Sequence, residues 1–289
     1  MLHKRLVAVL TVKNGIVVQS LGFQKYLPVG RLDIAVEFLS RWGIDEISIL
    51  DIDATPERRQ IDIGLIEKSI KKNFAPLAVG GGIHEIDDMR RLNHLGAEKV
   101  VINAIAVIEP EIIEQAAKIF GSQFVVVSID VKLNNEGSYT VHTHSGQIDT
   151  GKDPISWAKE ASELGAGEIL ITSIDRDGTQ TGYDLELIKK VVAAVSVPVI
   201  ACGGVGHPRH FLEGFEAGAF ACAAGNFFHF NEHSPIIAKR YLQDRGLDIR
   251  IDTYATYAGA TLLDSGRLAK QSDQYLENLR FEILPDEKI

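Results

Sequence analysis

The chain has 289 residues and a formal net charge of −9, from 30 basic against 39 acidic side chains. With 45% hydrophobic and 24% charged residues it carries enough apolar material for a folded core and is not a disordered chain. The acidic balance excludes sequence-independent nucleic-acid binding, which needs a basic footprint. There is no apolar run of the roughly 18 residues that a membrane span requires, and the apolar stretch 6–12 is too short for a signal-peptide core. Cys202 and Cys222 lack the paired spacing of a metal site, so they are expected to be reduced thiols of a cytoplasmic protein, with no metal or cofactor.

In chain order, strands are predicted at 6–12, 46–52, 76–80, 99–103, 124–130, 168–173, 197–202 and 219–224. Each is short, β-branched and apolar on both faces, as a parallel sheet covered by helices requires. Between and after them, apolar residues three and four apart predict helices at 32–42, 63–72, 86–95, 110–120, 154–164, 185–195, 208–217 and 235–245. Pro110, Pro154, Pro208 and Pro235 stand near helix starts, and Gly43, Gly96, Gly121, Gly165 and Gly218 near helix ends, where their backbone chemistry suits them. Strict alternation predicts an α/β fold, a (β/α)8 barrel over residues 1–250. Residues 251–289 form a C-terminal extension, with a candidate helix at 266–279 and a candidate strand or docked tail at 281–284.

Two loops break the rhythm. Lys13-Asn14-Gly15 is a type I′ hairpin signal that runs into a long loop to about Val29. Residues 131–150, with Asn135-Glu136-Gly137 and the alternating 139–144, predict a small hairpin on the fifth strand. Both loops follow odd-numbered strands, on the face where barrel enzymes place their sites.

The chain also repeats at half-length. Glu46-Ile47-Ser48-Ile49 matches Glu168-Ile169-Leu170-Ile171 at an offset of 122. Asp53, Asp62, Pro76, Gly81 and Gly96-Ala97 find Asp175, Asp184, Pro198, Gly203 and Gly218-Ala219 at the same offset, and the first strands align at 119. Two half-barrels of four βα units account for one register better than a generic likeness among βα units. They predict two related ligand sites across a pseudo-twofold axis.

Gly80-Gly81-Gly82 ends the third strand and Gly203-Gly204 the seventh, and each precedes a strand that ends in Asn103-Ala104 or Gly225-Asn226. Glycine there lets backbone N–H groups approach a phosphate, although any one glycine is also explained by a tight turn. Duplication points to a ligand with phosphates at two ends. Asp130 ends the fifth strand, facing the mouth, and suits acid/base work unless Lys132 or another mouth residue neutralises it. Its counterpart is Thr11, which does not ionise at physiological pH. Asp51 and Asp53 end the second strand and are candidates either for substrate contact or for capping the backbone that follows. At the opposite end Arg5, Glu46, Lys99 and Glu168 predict a ring of alternating charges across the barrel floor, costly to bury unless every member is paired. His142 and His144 alternate on the predicted hairpin with no third metal ligand and are expected at the surface. His229 is expected to be structural.

Residues 1–250 resemble the cyclase subunit of imidazole glycerol phosphate synthase. The resemblance rests on Lys4-Arg5, Val12-Lys13-Asn14-Gly15, 79–83, 101–103, Phe120-Gly121-Ser122-Gln123, 172–179, Gly182-Tyr183-Asp184 and Phe228-His229-Phe230. It implies a glutaminase partner docked at the barrel bottom, whose ammonia passes a gate at Arg5, Glu46, Lys99 and Glu168 and reacts with a phosphate-bearing small molecule at the top. It also implies phosphate contacts at Gly82, Asn103 and Ala104 and at Gly178, Gly204, Gly225 and Asn226, with Asp51, Gln19, Thr172 and Asp177 near the substrate. The catalytic positions would be 11 and 130. The chain departs from the family at three of these positions: Thr11 replaces one catalytic aspartate, Gln19 a loop lysine, and Ala104 a phosphate-binding threonine.

Acid–base groups supply about 10²–10⁴-fold in rate, so an intact floor beside Thr11 resembles a paralogous branch associated with lipopolysaccharide or flagellar sugar biosynthesis. The loop 22–30 resembles that branch too. What it implies is a barrel that passes ammonia on for amidation of a surface-polysaccharide sugar, partnered also by an N-acetyl-sugar amidotransferase. Two alternatives stand beside it. One is an active cyclase of histidine biosynthesis using Asp130 and a substitute acid, Asp51 or Asp177. The other is a sister sugar-phosphate isomerase with no ammonia partner.

Overall fold

The computed structural model describes residues 3–274 except 135, 230–232, 252, 254–256 and 258. The first half of the chain forms β1 (Arg5–Lys13), β2 (Ile16–Leu21), β3 (Lys25–Gly30), α1 (Leu32–Arg41), β4 (Glu46–Asp51), α2 (Ile63–Ile70), β5 (Leu77–Gly80), α3 (Ile86–Leu95), β6 (Lys99–Ile102), α4 (Ala104–Ile108) and α5 (Glu111–Phe120). The second half forms β7 (Val125–Leu133), β8 (Tyr139–Thr143), β9 (Ile148–Asp149), α6 (Pro154–Glu163), β10 (Glu168–Ser173), α7 (Leu185–Ala194), β11 (Val199–Cys202), α8 (Pro208–Glu216), β12 (Ala221–Ala224) and α9 (Ser234–Gln243). Strands β1, β4, β5, β6, β7, β10, β11 and β12 pair in parallel, and β12 returns to β1. The sheet therefore closes as a (β/α)8 barrel.

Closure divides the apolar side chains into two layers. Val7, Val9, Ala78, Val101, Val126, Leu170, Ile200, Ala221 and Ala223 point inward and pack on one another. Their strand neighbours, such as Ile47, Ile49, Val79, Val127 and Ile171, point outward into the larger core beneath the helices. This is the two-sided burial that apolar runs without alternation specify. The halves also start helices alike: Asp62 accepts the backbone N–H of Leu65 at the start of α2, and Asp184 that of Leu187 at the start of α7.

The excursions are more ordered than the sequence suggests. Asn14 and Gly15 both have positive φ (50° and 74°), as a type I′ turn demands. The segment expected to run on as loop instead pairs as β2 with β3, Gln19 opposite Leu27 and Ser20 opposite Tyr26. The second excursion is the predicted hairpin, β7–β8, extended by β9. Helix α4 lies in a stretch too short to show a helical period. Ile249, just before the extension, bridges Lys4; within the extension 266–268 belongs to a turn closed by a Leu262–Leu268 bridge, while 273–274, also in the candidate helix, are helical. Residues 275–279 and 281–284 of the candidate helix and strand lie outside the described residues, as do Asn135 and Phe230. No helix of the described residues is long and apolar enough to cross a membrane.

Candidate functional site

The parallel register carries one inward residue from each of four strands to the floor. Arg5 Nη1 donates to Glu46 Oε2 at 2.5 Å and Arg5 Nη2 to Glu168 Oε1. Lys99 Nζ donates to Glu46 Oε2 and to Glu168 Oε2, each at 2.7 Å. Each cation thus bridges both carboxylates and the ring is closed. Glu46 is 2% exposed, so full pairing is what makes its burial tolerable. Among the described residues Arg5 Nε has no hydrogen-bond partner.

At the other end the strands open into a cavity of about 260 Å³. Of the sequence-predicted residues, Thr11, Asp51, Gly82, Asn103, Ala104, Asp130, Thr172, Asp177, Gly225 and Asn226 line it. Gly178 and Gly204 do not, nor does Gln19, where Ser20 is the lining neighbour. Asp130 accepts from Asn103 Nδ2 at 3.2 Å, and the same amide nitrogen donates to the Ser128 carbonyl. No ion pair links Lys132 to Asp130 among the described residues. Burial, then the nearby Asp177 charge, pushes the Asp130 carboxyl up to about 7. Burial also raises Asp177 to about 6, against the hydrogen bond it accepts from Ser20 Oγ.

The other acids are used up locally. Arg59 holds Asp51 through Nη1 at 2.7 Å and Nη2 at 3.0 Å, and Asp51 Oδ1 also accepts the N–H groups of Asp53 and Ala54. Asp51 thus caps the backbone that follows it while also lining the cavity. Asp53 pairs with Lys13 and accepts the N–H of Asn14, which fastens the β1–β2 turn.

Several lining residues escaped the sequence pattern. His144 lines the cavity, contrary to its expected surface position, and His142 is buried, bonded through Nδ1 to the Gly146 carbonyl. The turn after β8 lies over the mouth: His144 sits in it with φ 53°, and its neighbour Ser145 donates through Oγ to the Ile52 carbonyl at 2.9 Å. Arg58 and His84 line it too, from loops after β4 and β5, where no periodicity flags them. Among the described residues no group of three His, Cys, Asp or Glu is placed to hold a metal ion.

Residues 5–234 match the family model described as histidine biosynthesis protein. The chain belongs to that family. Its relatives include the imidazole glycerol phosphate synthase subunit HisF of Thermococcus onnurineus (strain NA1), 42% identical over 255 residues, covering 87% of this chain and 100% of the relative. The subunit of the same name from Gluconacetobacter diazotrophicus is 42% identical over 250 residues, covering 86% and 97%.

Proposed function

We propose that the chain is the barrel subunit of a glutamine-dependent amidotransferase. It takes ammonia from a glutaminase docked at the floor and releases it at the mouth for amidation of a surface-polysaccharide sugar by an N-acetyl-sugar amidotransferase. The observation that carries this reading is Thr11 at the mouth of a barrel whose four-charge floor is complete. Arg5, Glu46, Lys99 and Glu168 guard an interior lined above them by Val7, Ala78, Val126, Leu170 and Ala221. Neutral NH3 crosses such a lining at little cost, whereas ammonium would lose its hydration without a partner. The mouth offers Asp130 and Asp177 as proton acceptors. The glycine loops and Asn103 are the places for a phosphate-bearing ligand. Thr11 removes one proton-transfer group, which is worth about 10²–10⁴ in rate.

The test supplies purified protein with ammonium salt and the bisphosphate of imidazole glycerol phosphate synthesis, then with ¹⁵N-amide glutamine, the glutaminase and the sugar amidotransferase. We expect no cyclisation in the first assay and ¹⁵N in the sugar in the second. Cyclisation at rates typical of the family overturns the proposal.

A second reading, an active cyclase of histidine biosynthesis, draws support from the raised acids Asp130 and Asp177, a pair able to exchange protons near neutrality, and from the names of the relatives. Growth of a cyclase-deficient histidine auxotroph on this chain decides for it.

A further inference from the structure

Along β4 the side chains that point into the barrel are Glu46, Ser48 and Leu50, because their neighbours Ile47 and Ile49 belong to the outer core. Glu46 is part of the floor ring, and Leu50 lines the mouth cavity. Ser48 stands between them, about 7 Å along the strand from each. It is 3% exposed and does not line the cavity. Across the sheet it sits between Val9 and Ala78, both inward and apolar. Among the described residues its hydroxyl has no hydrogen-bond partner.

A hydroxyl so placed works against stability. Burying it without a partner is unfavourable, and an apolar side chain of similar size avoids the penalty. Nor does the fold demand it. In the second half, at the offset of 122, the same place on β10 is Leu170, packed into the inward layer. That layer is apolar around Ser48, and Ala78, Ala221 and Ala223 keep its side chains small. Toward the mouth, Ser128 on β7 lines the cavity two residues before Asp130.

We infer that Ser48 is a hydrogen-bonding station for ammonia inside the barrel, between the charged floor and the mouth cavity. Its ligand is one small neutral molecule with a lone pair and N–H groups. A serine hydroxyl donates to the lone pair and accepts from an N–H. It thereby replaces one of the hydrogen bonds that ammonia gives up on leaving water. A carboxylate at this place would favour ammonium and hold it, whereas a hydroxyl leaves the molecule neutral and free to move on. Ser48 is a positioning residue, and no bond is made or broken at it. The inference rests on the ammonia reading proposed above.

Two experiments on the whole chain test it. In crystals of the wild type soaked in ammonium chloride, a single water-sized peak should lie within about 3 Å of Ser48 Oγ. The peak should be missing in Ser48→Ala. The second experiment supplies the barrel, the glutaminase and the sugar amidotransferase with ¹⁵N-amide glutamine and an excess of unlabelled ammonium. The labelled share of the product should fall about fivefold in Ser48→Ala, the worth of one neutral hydrogen bond, with glutamine hydrolysis unchanged. Ser48→Ala should melt no lower than the wild type, since it loses an unpartnered group. Absence of the peak in the wild type overturns the inference. A peak with an unaltered labelled share is a resident water only and overturns it too, as does a lower melting temperature, which makes the hydroxyl structural. A wild type that passes no label at all overturns the ammonia reading and the inference with it, whereas equal labelling by wild type and Ser48→Ala overturns the inference alone.

Discussion

Gly81 and Gly203, 122 positions apart, hold the same left-handed backbone, φ 99° and 98°. Each turns the chain out of a barrel strand directly over the carbonyl that ends a neighbouring strand, Asp51 for Gly81 and Ser173 for Gly203. Asp51 and Ser173 are themselves 122 apart.

Alanine at either glycine should therefore be costly for two reasons. The backbone conformation is strained for an L residue, and the new Cβ runs into backbone: at Gly203 it would lie 2.7 Å from the Ser173 oxygen. Strain and overpacking each cost about 1–3 kcal/mol, so Gly81→Ala and Gly203→Ala should each lose at least about 2 kcal/mol in urea unfolding. Gly137→Ala has a similar φ of 79° but open space around the new methyl, so it should lose only the smaller, conformational part. Equal losses at all three positions would show that the close approach is immaterial.

The barrel was legible because parallel strands buried on both faces leave short apolar runs that nothing else in the chain imitates. β10 is predicted to the residue, and β1 and β4 to within one at either end. The floor ring was legible because position within a strand, together with the two-residue period, fixes which side chains reach the axis. The mouth was harder. Its residues come from loops, whose conformation depends on tertiary contacts such as Asn226 with Ser20, more than 200 positions apart. That contact makes a paired strand of a segment that reads as loop, and it puts Ser20, not Gln19, in the cavity. His144 is misplaced for a related reason: it lies beyond β8, in the turn to β9 with φ 53°, where strand alternation no longer sets its direction.

The ring predicts an unequal response to substitution. Lys99→Met leaves Glu46 and Glu168 sharing Arg5 alone in a site that is largely closed to water. Breaking a buried pair in this way costs about 3–5 kcal/mol. For a chain of this size calorimetry should record a fall in Tm of about 6–20 °C. Adding Glu168→Gln to Lys99→Met removes the surplus negative charge and should restore part of the loss. If the double variant is no more stable than the single, the four charges do not act as one unit.

Cys202 faces the cavity, yet burial and the charges of Asp177 and Asp130 push its thiol up to about 12, against hydrogen bonds that favour the thiolate. Only the thiolate attacks a disulfide reagent, and an ordinary free thiol titrates near 8.5. At pH 8 the native protein should react with an aromatic disulfide at least about a hundredfold more slowly than the unfolded chain. Cys222 is fully buried and also raised, so it should not rescue the rate. Rapid labelling of one thiol in the folded state would contradict this account of the mouth.

Asp130 yields a pH dependence whose sign is opposite to that of a salt-bridged acid. Its carboxyl is raised from 3.8 to about 7 in the folded chain, so between about pH 4 and pH 7 the folded state holds a proton that the unfolded state has released. Stability therefore falls as pH rises through that window and levels off above it. At about 1.36 kcal/mol per unit the full shift corresponds to about 4 kcal/mol, an upper limit because the side chain opens into the cavity and shares its titration with Asp177. Asp130→Asn keeps an oxygen for Asn103 and removes the charge. In urea unfolding the variant should match the wild type near pH 4 and exceed its stability by about 2–4 kcal/mol at pH 8. A difference that does not change with pH would mean the substitution acts through packing alone, with Asp130 ionised throughout.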